Sequence, residues 1–107
     1  MYEYRAYVRK VYDGDTITTD IDLGFGVMLK DQKIRLIKIN APEIRGSERE
    51  NGLKSRDALR SLICNKWVKL KTYKDKKGKY GRWLAEVWKD EVCINDWLIS
   101  EGLAEEY

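Results

Sequence analysis

Histidine is absent from the 107-residue chain, proline occurs once and cysteine twice. Without histidine there is no His/Cys zinc site and no mechanism built on an imidazole base. Cys64 and Cys93 form no CxxC pair, and both are expected as free, buried thiols behaving as small hydrophobes. Spacing alone leaves a bridge between them open. No apolar run approaches the roughly 20 residues that a membrane helix needs, so no membrane partner is expected. The opening MYEYRAYVRK lacks the apolar core of a signal peptide, from which a cytoplasmic location is expected, with a mature secreted fragment as the alternative. Repeats, low-complexity tracts and Ser/Pro linkers are missing too, which predicts a single domain over residues 1–107.

Aromatic residues and charge are plentiful. Four Trp and seven Tyr supply surface to bury, which argues against a disordered chain. The formal net charge is only +3, but it is unevenly spread. Residues 66–82 hold eight basic side chains against one acid, whereas residues 83–107 hold one Lys against seven acids. The basic stretch, with Lys76 and Lys77 at its centre and Trp67, Tyr73 and Tyr80 interleaved, has the composition of a nucleic-acid surface. A solvated Lys-rich hairpin has the same composition.

Alternation and turn residues predict strands over Tyr4 to Tyr12, Thr16 to Leu23, Gln32 to Ile39, Lys66 to Tyr73 and Arg82 to Trp88. Asp13-Gly14 reads as a hairpin turn of the type I′ kind. Ser47 to Glu50 has the form of a capping box, opening an amphipathic helix that runs to Cys64 on Ser55, Leu59, Leu62 and Ile63. Gly52 is expected to weaken its first turn by about 1 kcal/mol. A short helix follows near the end, with Asn95 as its cap. Trp67, Trp83, Trp88 and Trp97 are expected in the core. Five strands with a helix after the third predict a mainly β fold, an oligonucleotide-binding (OB-fold) Greek-key barrel with two helices.

Three segments collect polar groups that strand packing does not require: DGDT at 13–16, RLIKINAPE at 35–43 and KYGR at 79–82. Each alone reads as a turn. Together they pose a harder question, because a turn does not need the second carboxylate at Asp15. Nor does an apolar strand need Arg35 between Ile34 and Leu36, since arginine is rarely buried unless paired. Its planar fork, like that of Arg82, matches a phosphate.

DGDT at 13–16, IRLIKINAPE at 34–43, KYGRWLA at 79–85 and INDWLISEGLA at 94–104, in this order and spacing, resemble the staphylococcal nuclease (thermonuclease) family. The resemblance implies a calcium-dependent nuclease on an OB-type barrel, cleaving DNA, RNA or both with little sequence specificity and leaving 3′-phosphate ends. Carried over by position, Asp15, Asn40 and the carbonyl of Ala41 match calcium ligands, and Glu43 matches the general base. Arg35 and Arg82 match the arginines that grip the scissile phosphate, while Lys79 and Tyr80 match contacts to a terminal phosphate. Asn40 stands where the family has Asp, which removes one formal charge and implies a weaker calcium site. On an unbroken strand Arg35 and Asn40 would face opposite sides, so a shared site needs a bend around Ile39 to Ala41. A monomer is expected, alone or within a phage- or plasmid-type assembly. The alternative function is a non-catalytic barrel that binds nucleic acid or protein.

Overall fold

The computed structural model describes residues 2–72 and 81–107. Its long strands are β1 (Tyr2–Asp13), β2 (Thr16–Gly24), β3 (Val27–Leu36), β5 (Trp67–Thr72) and β6 (Trp83–Lys89). Short strands β4 (Ile39–Asn40), β7 (Val92–Cys93) and β8 (Glu105–Glu106) add local pairings. The helices are α1 (Arg49–Ile63), entered through a 3₁₀ turn at Gly46–Glu48, and α2 (Ile94–Ser100). Among the described residues no helix is long and apolar enough to cross a membrane.

The strands run β3-β2-β1-β5-β6, antiparallel throughout, and a parallel β3–β6 pairing closes them into a five-stranded barrel. Closure removes both open edges of the sheet. This is the expected mainly β, OB-type architecture. Its interior is filled by Val8, Ile17, Ile34, Leu36, Leu70 and Val87, with Leu59 and Ile63 of α1 and Ile94 and Leu98 of α2 completing the core.

Several local expectations give way to packing. β1 is not a continuous alternation: Val8 pairs with Thr19 but Lys10 with Thr18, so Arg9 is an extra residue that resets which side chains point inward. The capping box does not form, because Ser47 lies inside the 3₁₀ turn and α1 begins at Arg49 without a side-chain cap. Asn95 does not cap α2 either. It is buried within that helix, where its Oδ1 accepts from Val87 N–H at 2.9 Å and its Nδ2 donates to the Ile37 carbonyl at 2.9 Å. The tryptophans divide. Trp83 and Trp97 pack partly buried against the core, whereas Trp67 lies on the outer face with Tyr7 and Arg5, and Trp88 lies beneath Lys71. Both cysteines are free and half-buried rather than fully enclosed.

Candidate functional site

The site begins at the turn joining β1 to β2. Asp13 pairs with Thr16, leaving Gly14 and Asp15 as a two-residue link. A type I′ turn needs positive φ at both central residues, and neither Gly14 nor Asp15 has it, so the expected turn type is not the one adopted. Space explains the glycine instead. A Cβ on Gly14 would stand 2.7 Å from the Ala41 Cβ and 2.9 Å from the Ser55 Cβ. The turn is therefore pressed against both the 39–41 segment and α1. Asp13 Oδ1 accepts the Asp15 N–H at 3.0 Å, which tightens the link and directs Asp15 inward.

Asp15 is 6% exposed, a burial that a carboxylate tolerates only with partners. Its Oδ2 accepts the Ala41 N–H at 2.9 Å and lies 3.4 Å from Arg35 Nη2, while its Oδ1 accepts the Thr16 hydroxyl at 3.1 Å. Arg35 stands opposite Thr16 in the β2–β3 ladder. Its Nη1 donates to the Leu36 carbonyl, and its Nη2 also donates to Asn40 Oδ1 at 3.4 Å. One guanidinium nitrogen thus faces both Asp15 and Asn40.

Arg35 and Asn40 meet because the strand breaks, though earlier than its proline suggests. β3 ends at Leu36, Ile37 and Lys38 form a turn with Lys38 at φ +63°, and β4 resumes at Ile39. The Ile37 N–H donates to the Ala85 carbonyl, and Asn95 holds the Ile37 carbonyl, so the break is fixed from both sides. β4 pairs with β8, which sets Glu105 opposite Asn40.

Arg82 precedes β6 and reaches the same lip of the barrel. Its Nη1 lies 3.5 Å from Thr16 Oγ1, so Arg82, Thr16, Asp15 and Arg35 form a connected row. Glu43 follows on the exposed loop after Ala41, where its N–H faces Glu48 Oε1 at 3.4 Å. Among the described residues its carboxylate makes no hydrogen bond or ion pair with the rest of this row. Its main chain is held closely instead. A Cβ on Gly52 would stand 2.0 Å from the Glu43 carbonyl oxygen, so α1 needs glycine there for the loop to lie against it. Lys76, Lys77, Lys79 and Tyr80 lie outside the described residues.

Two members of the site were not legible as such in the sequence. Asp13 reads as a turn residue, yet it is half-buried beside Asp15. Burial first, and the neighbouring Asp15 charge second, push its carboxyl up to about 6. Thr16 reads as the first residue of a strand, yet its hydroxyl joins Asp15 to Arg82. The DGDT motif held both residues, but only the assembled barrel shows their partners.

Among the described residues no three Asp, Glu or Cys side chains gather into a metal-sized cluster. The fit to a cation rests on a mixed donor set. Asp15 Oδ2 and Asn40 Oδ1 converge on one point, occupied by Arg35 Nη2, and the Ala41 backbone adjoins them through its N–H. Oxygen donors of carboxylate, amide and carbonyl type suit a hard cation such as calcium. The set carries one formal negative charge, and Arg35 already balances it.

Comparison with known proteins places the chain in a family. Residues 33–107 match the model of the family described as staphylococcal nuclease homologue. Over 100 residues the chain is 35% identical to a thermonuclease of Staphylococcus hyicus and 34% identical to one of Staphylococcus intermedius, each alignment covering 91% of this chain and 56% of the relative. An uncharacterized endonuclease of Haemophilus influenzae is 36% identical over 100 residues, covering 94% of this chain and 51% of that protein. The chain spans little more than half the length of these relatives.

Proposed function

The chain belongs to the staphylococcal nuclease homologue family, and from that membership we propose that it is a calcium-dependent phosphodiesterase hydrolysing DNA, RNA or both with low sequence specificity. The observation that carries this reading is the position of Arg35 Nη2, 3.4 Å from both Asp15 Oδ2 and Asn40 Oδ1, with Arg82 reaching Thr16 beside them. Two guanidiniums and a set of cation-type oxygens share one lip of the barrel.

In-line attack on a phosphodiester concentrates negative charge on the phosphoryl oxygens, and positive groups fixed beforehand stabilise that charge most effectively. Arg35 and Arg82 are the two fixed cations of this chain in the proposed mechanism. Calcium, held by Asp15, Asn40 and the Ala41 carbonyl, would supply further neutralisation of those oxygens. In this mechanism Arg35 Nη2 exchanges Asp15 and Asn40, each 3.4 Å away, for the phosphate. Glu43 takes the proton of the attacking water. Its exposure on a loop beside the lip leaves it accessible to water, and a carboxylate can serve as base in a chain without histidine.

The test is incubation with single- and double-stranded DNA in millimolar calcium or in chelator, together with Glu43→Gln. Cleavage is expected only with calcium, and the Gln variant is expected to be slower by about 10²-fold or more. Cleavage that survives both chelation and Glu43→Gln refutes the mechanism. Salt-sensitive binding without cleavage in calcium supports the non-catalytic module instead, the reading that Asn40 favours through its missing charge.

A further inference from the structure

Among the described residues, six basic side chains, Arg9, Lys10, Lys33, Arg56, Arg60 and Arg82, line a groove of about 870 Å³ in which Asp13 is the single acid. The groove meets the candidate site at Asp13, Thr16 and Arg82 and extends from there between the barrel and α1. Five of these six cations lie outside residues 66–82, the basic stretch of the sequence.

Strand irregularity builds it. The extra residue at Arg9 leaves Arg9 and Lys10 both exposed. Lys10, Thr18 and Lys33 then stand in direct register across β1, β2 and β3, which sets them on one face of the sheet. Arg56 and Arg60, four residues apart, come from one side of α1. Asp20 holds Arg9, and Asp57 lies beside Arg56 and Arg60. Lys10 and Lys33 face no carboxylate at ion-pair distance among the described residues.

The remaining lining is apolar or aromatic. Val11, Ile44 and Cys64 contribute to it, and Tyr12, 49% exposed, stands there with its hydroxyl held by Arg45 Nη2 at 2.8 Å. Positive side chains along a groove with an exposed aromatic are what an unpaired polynucleotide strand requires, since every base can stack on the ring while phosphates meet the cations. A duplex keeps its bases inside and leaves the apolar lining unused.

We propose that this groove carries the single-stranded segment flanking the phosphate bound at the site, with Lys10 and Lys33 on phosphates and Tyr12 stacked on a base. The position of that phosphate rests on the nuclease reading; the groove's affinity for a strand does not.

The decisive measurement is fluorescence anisotropy of a labelled single-stranded DNA of about 12 nucleotides, and of its duplex, in chelator over a range of salt. The double variant Lys10→Gln/Lys33→Gln is expected to bind the single strand about tenfold more weakly. Its salt slope should be shallower by about 1.4, the value for two lost phosphate contacts on a single strand. Arg5→Gln/Lys89→Gln removes two charges from outside the groove and is expected to cost less than about twofold. Tyr12→Ala should weaken binding about tenfold, and Tyr12→Phe should restore it. Equal losses in the two double variants, tighter binding of the duplex, or parental affinity in Tyr12→Ala would each overturn the proposal. Cleavage absent in calcium, with the groove losses intact, refutes the nuclease reading alone. Cleavage present, with strand binding unmoved by the variants, refutes the groove alone.

Discussion

Gly52→Ala sets two physical effects against each other at one position. In an unconstrained helix interior alanine is favoured over glycine by about 1 kcal/mol. At Gly52 the added methyl would stand 2.0 Å from the Glu43 carbonyl oxygen and 2.4 Å from its carbon, where ordinary contact starts at 3.4 Å. The Glu43–Ile44 peptide must therefore retreat by about 1.4 Å, the gap between 2.0 and 3.4 Å. Forced overpacking of this kind costs about 1–3 kcal/mol. The net result is a protein between unchanged and about 2 kcal/mol less stable. Activity should fall much further, because a displacement of about 1 Å in a reacting group can cost on the order of 10²-fold. Denaturant unfolding and steady-state cleavage of a single-stranded DNA in calcium separate the two effects. A variant that is about 1 kcal/mol more stable and cleaves at the parental rate would show that α1 does not position Glu43.

Three further outcomes follow from the site. Asn40→Asp adds a carboxylate where Asn40 Oδ1 now faces Arg35, and calcium affinity measured by titration calorimetry should rise about tenfold or more; unchanged affinity would remove Asn40 from the ligand set. Asp13, raised to about 6, stabilises the fold below its ordinary value of 3.8, and that stability is lost as pH rises through about 6. Asp13→Asn, melted in chelator, should therefore match the parent below pH 4 and exceed it by about 1 kcal/mol at pH 7.5, after allowing for partial solvent screening; a difference independent of pH would contradict this. Asn95→Leu leaves the Val87 N–H and the Ile37 carbonyl without their partner in the interior, and urea unfolding should show a loss of about 2–4 kcal/mol; a loss below about 0.5 kcal/mol would mean that the strand break is held by other bonds.

The barrel was legible because hydrophobic alternation survives in most strands and its turns carry Gly and Asp. What escaped depends on contacts distant in sequence. The residues of Ser47 to Glu50 satisfy the local capping pattern, but the chain enters α1 through a 3₁₀ turn, and the Glu43 loop lies close against Gly52, a contact distant from that pattern. Asn95 has the chemistry of a helix cap, yet a buried Val87 N–H and the Ile37 carbonyl make a stronger demand on it. Trp67 and Trp88 are large enough for any core, but they fall on the outward parity of their strands and are covered by Arg5 and Lys71. Asp15, Arg35 and Asn40 were nameable from their motifs. The single guanidinium nitrogen that faces both oxygens was not, because it depends on a strand break two residues earlier than the proline suggests. The charged groove was least legible, since its cations come from four separate places, β1, β3, α1 and the residue before β6.

The parallel contact between β3 and β6 also has a consequence in time. Arg35 lies opposite Leu84 across that seam, and Arg82 lies just beyond its end, so the two cations come together only when segments nearly fifty residues apart have docked. Contacts of long sequence separation carry a loop-closure cost and tend to form late in folding. A chain with β1, β2 and β3 already paired would still lack its second arginine. During synthesis the proposed hydrolytic centre would thus stay incomplete until β6 has docked on β3, and the proposed strand-cutting activity would be withheld until then.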